Sequence, residues 1–139
     1  MQNEFSFIIP VFNRPNEIEE LLVSFTKLTT KAKYEIVIIE DGSTISSKTI
    51  VDKFNRQLNI SYYFKENSGP GDSRNYGMQK AKGNYFIILD SDCILPAHYL
   101  DAVEKELNNE YVDCFGGPDT ADNSFTNLQK AINFSMTAF

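Results

Sequence analysis

Tyr85-Phe86-Ile87-Ile88-Leu89-Asp90-Ser91-Asp92 decides how the rest of the chain is read. An unbroken apolar run of this length suits a strand covered on both faces, the kind found in parallel sheets sandwiched between helices. The polar triplet behind it delivers two carboxylates to the edge of the sheet, where α/β proteins hold ligands. Two carboxylates so close together cannot both leave water without a counter-charge, because desolvating an ionised carboxylate costs several kcal/mol. A divalent cation supplies that charge. Oxygen ligands suit Mg²⁺ or Mn²⁺, and Mg²⁺ is commonly shared between one or two carboxylates and the phosphates of a substrate. The bland alternative for Asp90 and Asp92 is an acidic turn after a strand.

Outward from this stretch, strand and helix patterns alternate. Residues 6–10 read as a buried first strand, ended by Pro10 and by an Asn13-Arg14-Pro15-Asn16 turn that offers caps to a helix. Ile18, Leu21, Leu22, Phe25 and Leu28 then follow helical spacing, with Glu17, Glu19, Glu20 and Lys27 between them. Residues 34–39 form a second strand that runs into Glu40-Asp41-Gly42-Ser43-Thr44, and Ile50, Val51, Phe54 and Leu58 mark a second helix. A third strand covers residues 60–64, followed by the breaker cluster Asn67-Ser68-Gly69-Pro70-Gly71-Asp72 and a helix that stops at Gly83. Beyond Asp92, Pro96 opens a helix bearing Leu100, Val103 and Leu107, and residues 112–115 read as a fifth strand. Leu128, Ile132 and Met136 predict a last helix without a stop signal; its apolar residues Phe134, Met136 and Phe139 lead us to expect self-association through it and a domain that continues past residue 139.

This alternation predicts an α/β fold: a Rossmann-like, mainly parallel sheet with helices on both faces. The switch-point rule then brings Asn13-Arg14, Glu40-Asp41, Lys65-Glu66-Asn67 and Asp90-Ser91-Asp92 to one edge. Composition agrees with one globular domain: 139 residues, 42% hydrophobic and 13% aromatic, with no repeats or linker-like stretch. A formal net charge of -6 argues against a general affinity for nucleic acid, so an anionic ligand must be held locally. Cys93 and Cys114 lack metal-ligand spacing and, with His98 the single histidine, make no zinc site; free thiols are expected. No leader or membrane-spanning run is present, which predicts a cytoplasmic protein with a peripheral place at the inner membrane open to a longer chain.

Asp41 follows a buried strand and precedes a glycine turn, so its carboxylate can accept from a base N–H or a ribose hydroxyl, or simply cap a turn. Gly69 and Gly71 allow close approach of a diphosphate to the start of the helix behind them. Arg74, one turn into that helix, can grip a phosphate with both arms of its guanidinium or pair with Asp72 or Glu66. Cys93 and His98 are left as packing and surface residues, while Tyr63 has the reach to touch a sugar.

Four segments together, in this order, resemble family 2 of the nucleotide-sugar-dependent glycosyltransferases, which have the GT-A fold. They are the opening strand Ser6-Phe7-Ile8-Ile9-Pro10-Val11-Phe12-Asn13, the turn Glu40-Asp41-Gly42-Ser43, the glycine-rich segment from Asn67 to Gly77 with its Arg74-Asn75-Tyr76-Gly77, and the DxD triplet Asp90-Ser91-Asp92. The resemblance implies that residues 1–139 are the nucleotide-sugar-binding part of a GT-A domain, with the acceptor-binding part beyond residue 139. It implies an inverting transferase that moves sugar from a nucleoside diphosphate, most often UDP, to a glycan or lipid-linked hydroxyl in polysaccharide biosynthesis. Asp41 would recognise the nucleoside, Pro10 and Phe12 would line the base pocket with Asn13 close by, and Gly69, Gly71, Arg74 and Ser91 would meet the donor. Asp92 would ligate Mn²⁺ or Mg²⁺, and Asp90 would meet the ribose or a metal-bound water. Glu40 stands where the family often has Asp, and Ser73 where Ala is common. The catalytic carboxylate motif of the family is not found, leaving Asp119, and after it Asp122, as the candidates for the base.

Two other kinds of α/β domain fit this sequence less well. A receiver-like Mg²⁺-binding regulatory domain needs an acidic pair after the first strand, where this chain has Pro10-Val11-Phe12-Asn13. A sugar nucleotidyltransferase needs its glycine-rich loop after the first strand, whereas here the glycines follow the third.

Overall fold

The structure, a computed structural model, describes residues 4–117, 120 and 126–131. The chain divides into two compact units, Met1–Asn109 and Glu110–Phe139. The first contains β1 (Glu4–Val11), α1 (Pro15–Phe25), β2 (Lys33–Asp41), α2 (Lys48–Phe54), β3 (Ile60–Lys65), α3 (Pro70–Lys80), β4 (Tyr85–Ile88) and α4 (Tyr99–Asn109). All strand pairs are parallel and the order is β3-β2-β1-β4, so the chain reverses its direction of travel between β1 and β4.

Alternation along the strands sorts the core. Phe5, Phe7, Ile9 and Val11 of β1 and Ile36 and Ile38 of β2 face one way, where they meet Ile18, Leu21, Leu22 and Phe25 of α1, Val51 of α2 and Leu100, Val103 and Leu107 of α4. Each such side chain, fully buried, contributes about 1.5–3 kcal/mol of transfer free energy. Ile8, Val37 and Ile39 face the other way and are covered by α3 through Tyr76 and Met78. Helices therefore lie on both faces, as the alternating pattern predicts, but β4, expected to be covered on both, is an edge strand with Tyr85 and Ile87 buried on one face and Phe86 and Ile88 exposed on the other. On its buried side α3 carries only the small residues Ser73 and Gly77, so the helix lies close on the sheet. A Cβ on Gly77 would sit 2.5 Å from Ile8 Cγ2 and 2.6 Å from Ile39 Cδ1.

Several boundaries differ from the sequence reading. Pro10 does not end β1, which runs to Val11. It ends the pairing with β4 instead: Ile8 C=O accepts from Leu89 N–H at 3.0 Å, and the next donor on that side would be residue 10, which has no N–H. Freed from the ladder, residues 90–92 peel away from β1. The helix expected from Pro96 starts at Tyr99, since Pro96 only offers its carbonyl to Tyr99 N–H in a preceding turn. Leu58 is buried but lies beyond the end of α2.

In the second unit, residues 112–115 form no strand; Asp113 interrupts a four-residue run too short to pair well, and Gly116-Gly117 follows it. Residues 127–131 are helical, opened by a reciprocal cap in which Gln129 Oε1 accepts from Thr126 N–H at 2.8 Å and Thr126 Oγ1 accepts from Gln129 N–H at 3.3 Å. Asp119, Asp122, Ile132, Phe134, Met136 and Phe139 lie outside the described residues. Among the described residues, no helix is long and apolar enough to cross a membrane.

Candidate functional site

The parallel strands all point their C-terminal ends to one edge, and the switch between β1 and β4 opens a crevice beyond those ends. A cavity of about 510 Å³ occupies it. The end of β1 supplies Pro10, Val11, Phe12 and Arg14, β2 supplies Asp41, the turn before α3 supplies Asn67, Gly69 and Pro70, and the segment after β4 supplies Asp90, Ser91 and Asp92. Residues up to 82 positions apart in sequence thus share one wall. A second cavity of about 390 Å³ runs along α1 beside Asn16, Glu19, Glu20, Val23, Lys27 and Ile94 and shares no lining residue with the first.

Adjacent residues at the end of β2 turn to opposite faces, and each organises a different loop. Glu40 is fully buried on the α2 side, where Oε2 accepts from Ser47 N–H at 2.8 Å, from Ser47 Oγ and from Tyr62 Oη at 2.9 Å, while Oε1 takes Ser43 Oγ. The additional CH₂ of Glu, compared with the Asp common in the family it resembles, reaches the start of α2. Burial foremost, aided by this carboxylate, pushes the Tyr62 phenol up to about 12.

Asp41, 3% exposed, turns to the α3 side and gathers the glycine loop. Its Oδ1 accepts from Lys65 Nζ and from Ser68 N–H at 3.0 Å; its Oδ2 accepts from Gly69 N–H at 2.9 Å and from Asn67 Nδ2 at 3.3 Å. Lys65 is delivered by register, since Asp41 and Lys65 are direct partners in the β2–β3 ladder. Burial raises the Asp41 carboxyl, but hydrogen bonds from Lys65, Ser68 and Gly69 outweigh it, and the group lies below the ordinary carboxylate range. Gly69 takes φ +92 at the N-cap of α3, a backbone that favours glycine. Gly42, φ +71, has no room for a side chain either: a Cβ there would lie 2.6 Å from Asn67 N.

At the mouth, two guanidiniums face two carboxylates. Arg74 Nη2 donates to Asp90 Oδ1 at 2.7 Å and Arg14 Nη1 donates to Asp92 Oδ2 at 3.3 Å. The carboxylates are 63% and 56% exposed, so each keeps access to solvent. Among the described residues no three His, Cys, Asp or Glu converge on one point. This donor set fits a hard cation that takes its remaining ligands from phosphate and water, and not a cation caged by protein alone.

The sequence-predicted residues therefore fall into two groups. Pro10, Phe12, Asp41, Gly69, Asp90, Ser91 and Asp92 line the cavity, and Phe12 is half exposed with its ring available to a flat ligand. Asn13, Gly71 and Arg74 do not line it. Asn13, in a left-handed backbone at φ 54, uses Oδ1 to accept from Thr44 N–H, Thr44 Oγ1 and Ile45 N–H and so pins the β2–α2 loop. Gly71 has open space around it, and Arg74 stands beside Asp90 instead of pairing with Asp72 or Glu66. Asp72 instead takes Ser68 Oγ and faces Lys65 at 3.5 Å. Tyr63 packs against Tyr76 under Lys80 on the α3 face, away from the cavity. The sequence reading brings Lys65 and Arg14 to this edge but assigns neither a partner nor a role. Two-residue alternation from Tyr63 already places Lys65 on the face of α3, but which strand end lies beside it is not a local signal.

Comparison with known proteins now adds to this geometry. The Glycosyl transferase family 2 model matches residues 6–138. An uncharacterized glycosyltransferase of Rickettsia conorii is 41% identical over 106 residues, which cover 75% of this chain and 17% of that protein. Poly(ribitol-phosphate) beta-N-acetylglucosaminyltransferase TarS of Staphylococcus aureus is 36% identical over 92 residues, covering 64% of this chain and 16% of that protein. The crystal structure of S. aureus TarS 1-349 in complex with UDP-GlcNAc superposes with a TM-score of 0.74 at 30% identity, over 86% of this chain and 37% of that one. A mannosyltransferase from Pyrobaculum calidifontis, in complex with GDP-Man and Mn²⁺, shares the fold at a TM-score of 0.72 and 23% identity, over 85% of this chain and 37% of that one. The chain thus spans less than a fifth of the length of these two sequence relatives.

Proposed function

The chain belongs to glycosyl transferase family 2, and on that premise we propose that it forms the nucleotide-sugar site of a metal-dependent, inverting glycosyltransferase using a UDP-sugar. The observation that carries this reading is the convergence of Asp41, the Gly69 turn, Asp90, Ser91 and Asp92 on one cavity at the β1–β4 switch point. The UDP-GlcNAc bound by the similar TarS supports uridine as the nucleoside. Residues 1–139 are read as the donor part of a GT-A domain. The acceptor part is proposed to lie beyond residue 139, in keeping with the small share of each relative that the chain spans.

In this reading Phe12 stacks on the base while Pro10 closes its edge. Asp41, held ionised by its donors, has no proton to give; it accepts a base N–H that displaces Asn67 Nδ2, at 3.3 Å the longest of its four donors, and repels a base nitrogen that presents a lone pair. That chemistry suits the imide of uracil and disfavours cytosine. Asp90 meets the ribose or a metal-bound water, and Arg74 shares its charge between Asp90 and the diphosphate. Asp92, with Asp90, would hold Mn²⁺ or Mg²⁺, which supplies positive charge to the departing diphosphate. The base that takes the acceptor proton is a carboxylate, with Asp119 the candidate carried from the sequence. The acceptor is read as a glycan or lipid-linked hydroxyl in polysaccharide biosynthesis, on the cytoplasmic side and peripheral to the inner membrane. Self-association through the last helix is proposed too, and sedimentation checks it.

Calorimetry with UDP, GDP and CDP, with and without Mn²⁺, tests the reading. UDP should bind with metal dependence, and Asp92→Ala should weaken that binding far more than Asp119→Ala. Binding indifferent to metal, or equal for UDP and CDP, overturns it.

A further inference from the structure

We infer that Arg14 is a second phosphate-binding residue of the donor site, one that gives up Asp92 to the divalent cation and turns to the diphosphate as the site loads. The inference rests on the nucleotide-sugar reading above. Arg14 is the N-cap of α1, and its side chain makes no capping hydrogen bond. The position favours Ser, Thr, Asp or Asn, and a cation there opposes the positive end of the helix dipole. An i,i+3 pair with Glu17, long and exposed, adds little, so helix stability gives little reason for arginine at this position, whereas Arg14 lines the cavity.

The backbone that carries Arg14 is fixed from behind. Asn13 N–H donates to Ser43 Oγ at 2.8 Å, and Asn13 Oδ1 holds Thr44 and Ile45 as described. The guanidinium itself is loosely held. It lies 3.3 Å from Asp92 and 3.9 Å from Glu17, and the side chain is 50% exposed. Arg74, by contrast, meets Asp90 at 2.7 Å, within the range of a strong charge-assisted bond. A pair as long and exposed as Arg14–Asp92 holds its partners weakly and exchanges readily.

Charge balance gives the exchange its direction. In the structure two guanidiniums neutralise the two carboxylates of the DxD triplet. A divalent cation and the diphosphate of a nucleotide sugar bring equal and opposite charge, so the loaded site stays neutral only if both arrive. The cation takes the carboxylates, and the released guanidinium of Arg14 faces the phosphate oxygens, whose geometry its fork matches.

The test uses Arg14→Gln and Arg14→Lys in the full chain, with thermal unfolding as the folding control. Mn²⁺ alone, followed by electron paramagnetic resonance, should bind Arg14→Gln about two- to fivefold more tightly than wild type, because Asp92 loses a competing cation. UDP in the presence of Mn²⁺ should bind about tenfold more weakly to Arg14→Gln, as expected for one lost bond to a charged group. Uridine should bind unchanged, and Arg14→Lys should recover part of the UDP affinity. If Arg14→Gln leaves both the Mn²⁺ and UDP affinities unchanged, Arg14 is a surface ion pair and the inference fails. Equal losses for UDP and uridine also overturn it, since the effect is then not on the diphosphate. If wild type binds no UDP, the nucleotide-sugar reading itself fails, while the Mn²⁺ measurement still judges the competition between Arg14 and the cation.

Discussion

Asp41→Asn changes one atom and strikes the hub of the glycine loop. In wild type each carboxylate oxygen accepts two bonds: Lys65 Nζ and Ser68 N–H on Oδ1, Gly69 N–H and Asn67 Nδ2 on Oδ2. An amide keeps one acceptor and turns a donor toward the other pair, so either orientation opposes two donors with a third. A bond to a charged group is worth about 1.5–3 kcal/mol. Asn67 and Ser68 are exposed and Lys65 is 13% exposed, so water recovers part of the loss. We therefore expect a net destabilisation of about 3 kcal/mol, at the low end of the cost of breaking a buried pair. For a domain of this size that lowers Tm by about 10 °C.

The pH dependence carries the sign of the mechanism. The folded-state pKa of Asp41 is depressed below 3.8, so its contribution is fully present above that value and is lost as pH falls through the folded value. Urea unfolding followed by far-UV circular dichroism should show the gap between wild type and Asp41→Asn widest at neutral pH and narrowing below about pH 4. A Lys65→Met background should shrink the effect of Asp41→Asn, since the two side chains share the interaction. A variant within about 0.5 kcal/mol of wild type at neutral pH, or a gap that does not change on acidification, refutes the reasoning.

Gly77→Ala gains about 1 kcal/mol of helix propensity but drives a methyl into Ile8 and Ile39, with overpacking that costs about 1–3 kcal/mol, so a net loss of stability is expected in denaturant melts. Because Arg74 rides on the same helix, the variant should also weaken UDP binding measured by calorimetry. The Tyr62 phenol should titrate near 12 in an ultraviolet alkaline titration; with its folded pKa raised from 10.0, its share of stability is fully present below about pH 10 and is lost as pH rises through about 12. Glu40→Gln should cost about 1–3 kcal/mol by leaving Ser47 N–H or Tyr62 Oη badly met, read as a lower urea midpoint.

Much of the fold is legible locally because burial writes a period into the chain. The unbroken apolar run ending at Ile39 announces a strand covered on both faces, and the stripe from Ile18 to Phe25 announces α1. The run ending at Leu89 announces β4 but not its covering, since Phe86 and Ile88 on one face of this edge strand are 41% and 46% exposed. Where a rule acts locally but its consequence is spatial, reading fails. Pro10 was expected to stop its strand, yet it only removes the donor on the β4 side, a fact that depends on which neighbour lies there. Residues 112–115 have strand-forming side chains and no strand, because propensity in so short a run does not supply a partner. The cap Thr126-Asn127-Leu128-Gln129 was a local signal that the apolar pattern overshadowed.

The same division runs through the site. The sequence by itself determined that acidic residues and glycines follow buried strands, since hydrophobic periodicity locates strand ends and the switch-point rule gathers them. Only the tertiary structure decided the partners. Strand register sets Lys65 beside Asp41, pleat alternation sends Glu40 and Asp41 to opposite faces, and the release of β4 past Pro10 brings Asp92 to Arg14 and Asp90 to Arg74. Those contacts join residues between 16 and 78 positions apart in the chain. Spacing cannot encode them, because the free energy that selects them comes from packing the whole sheet and not from any one segment.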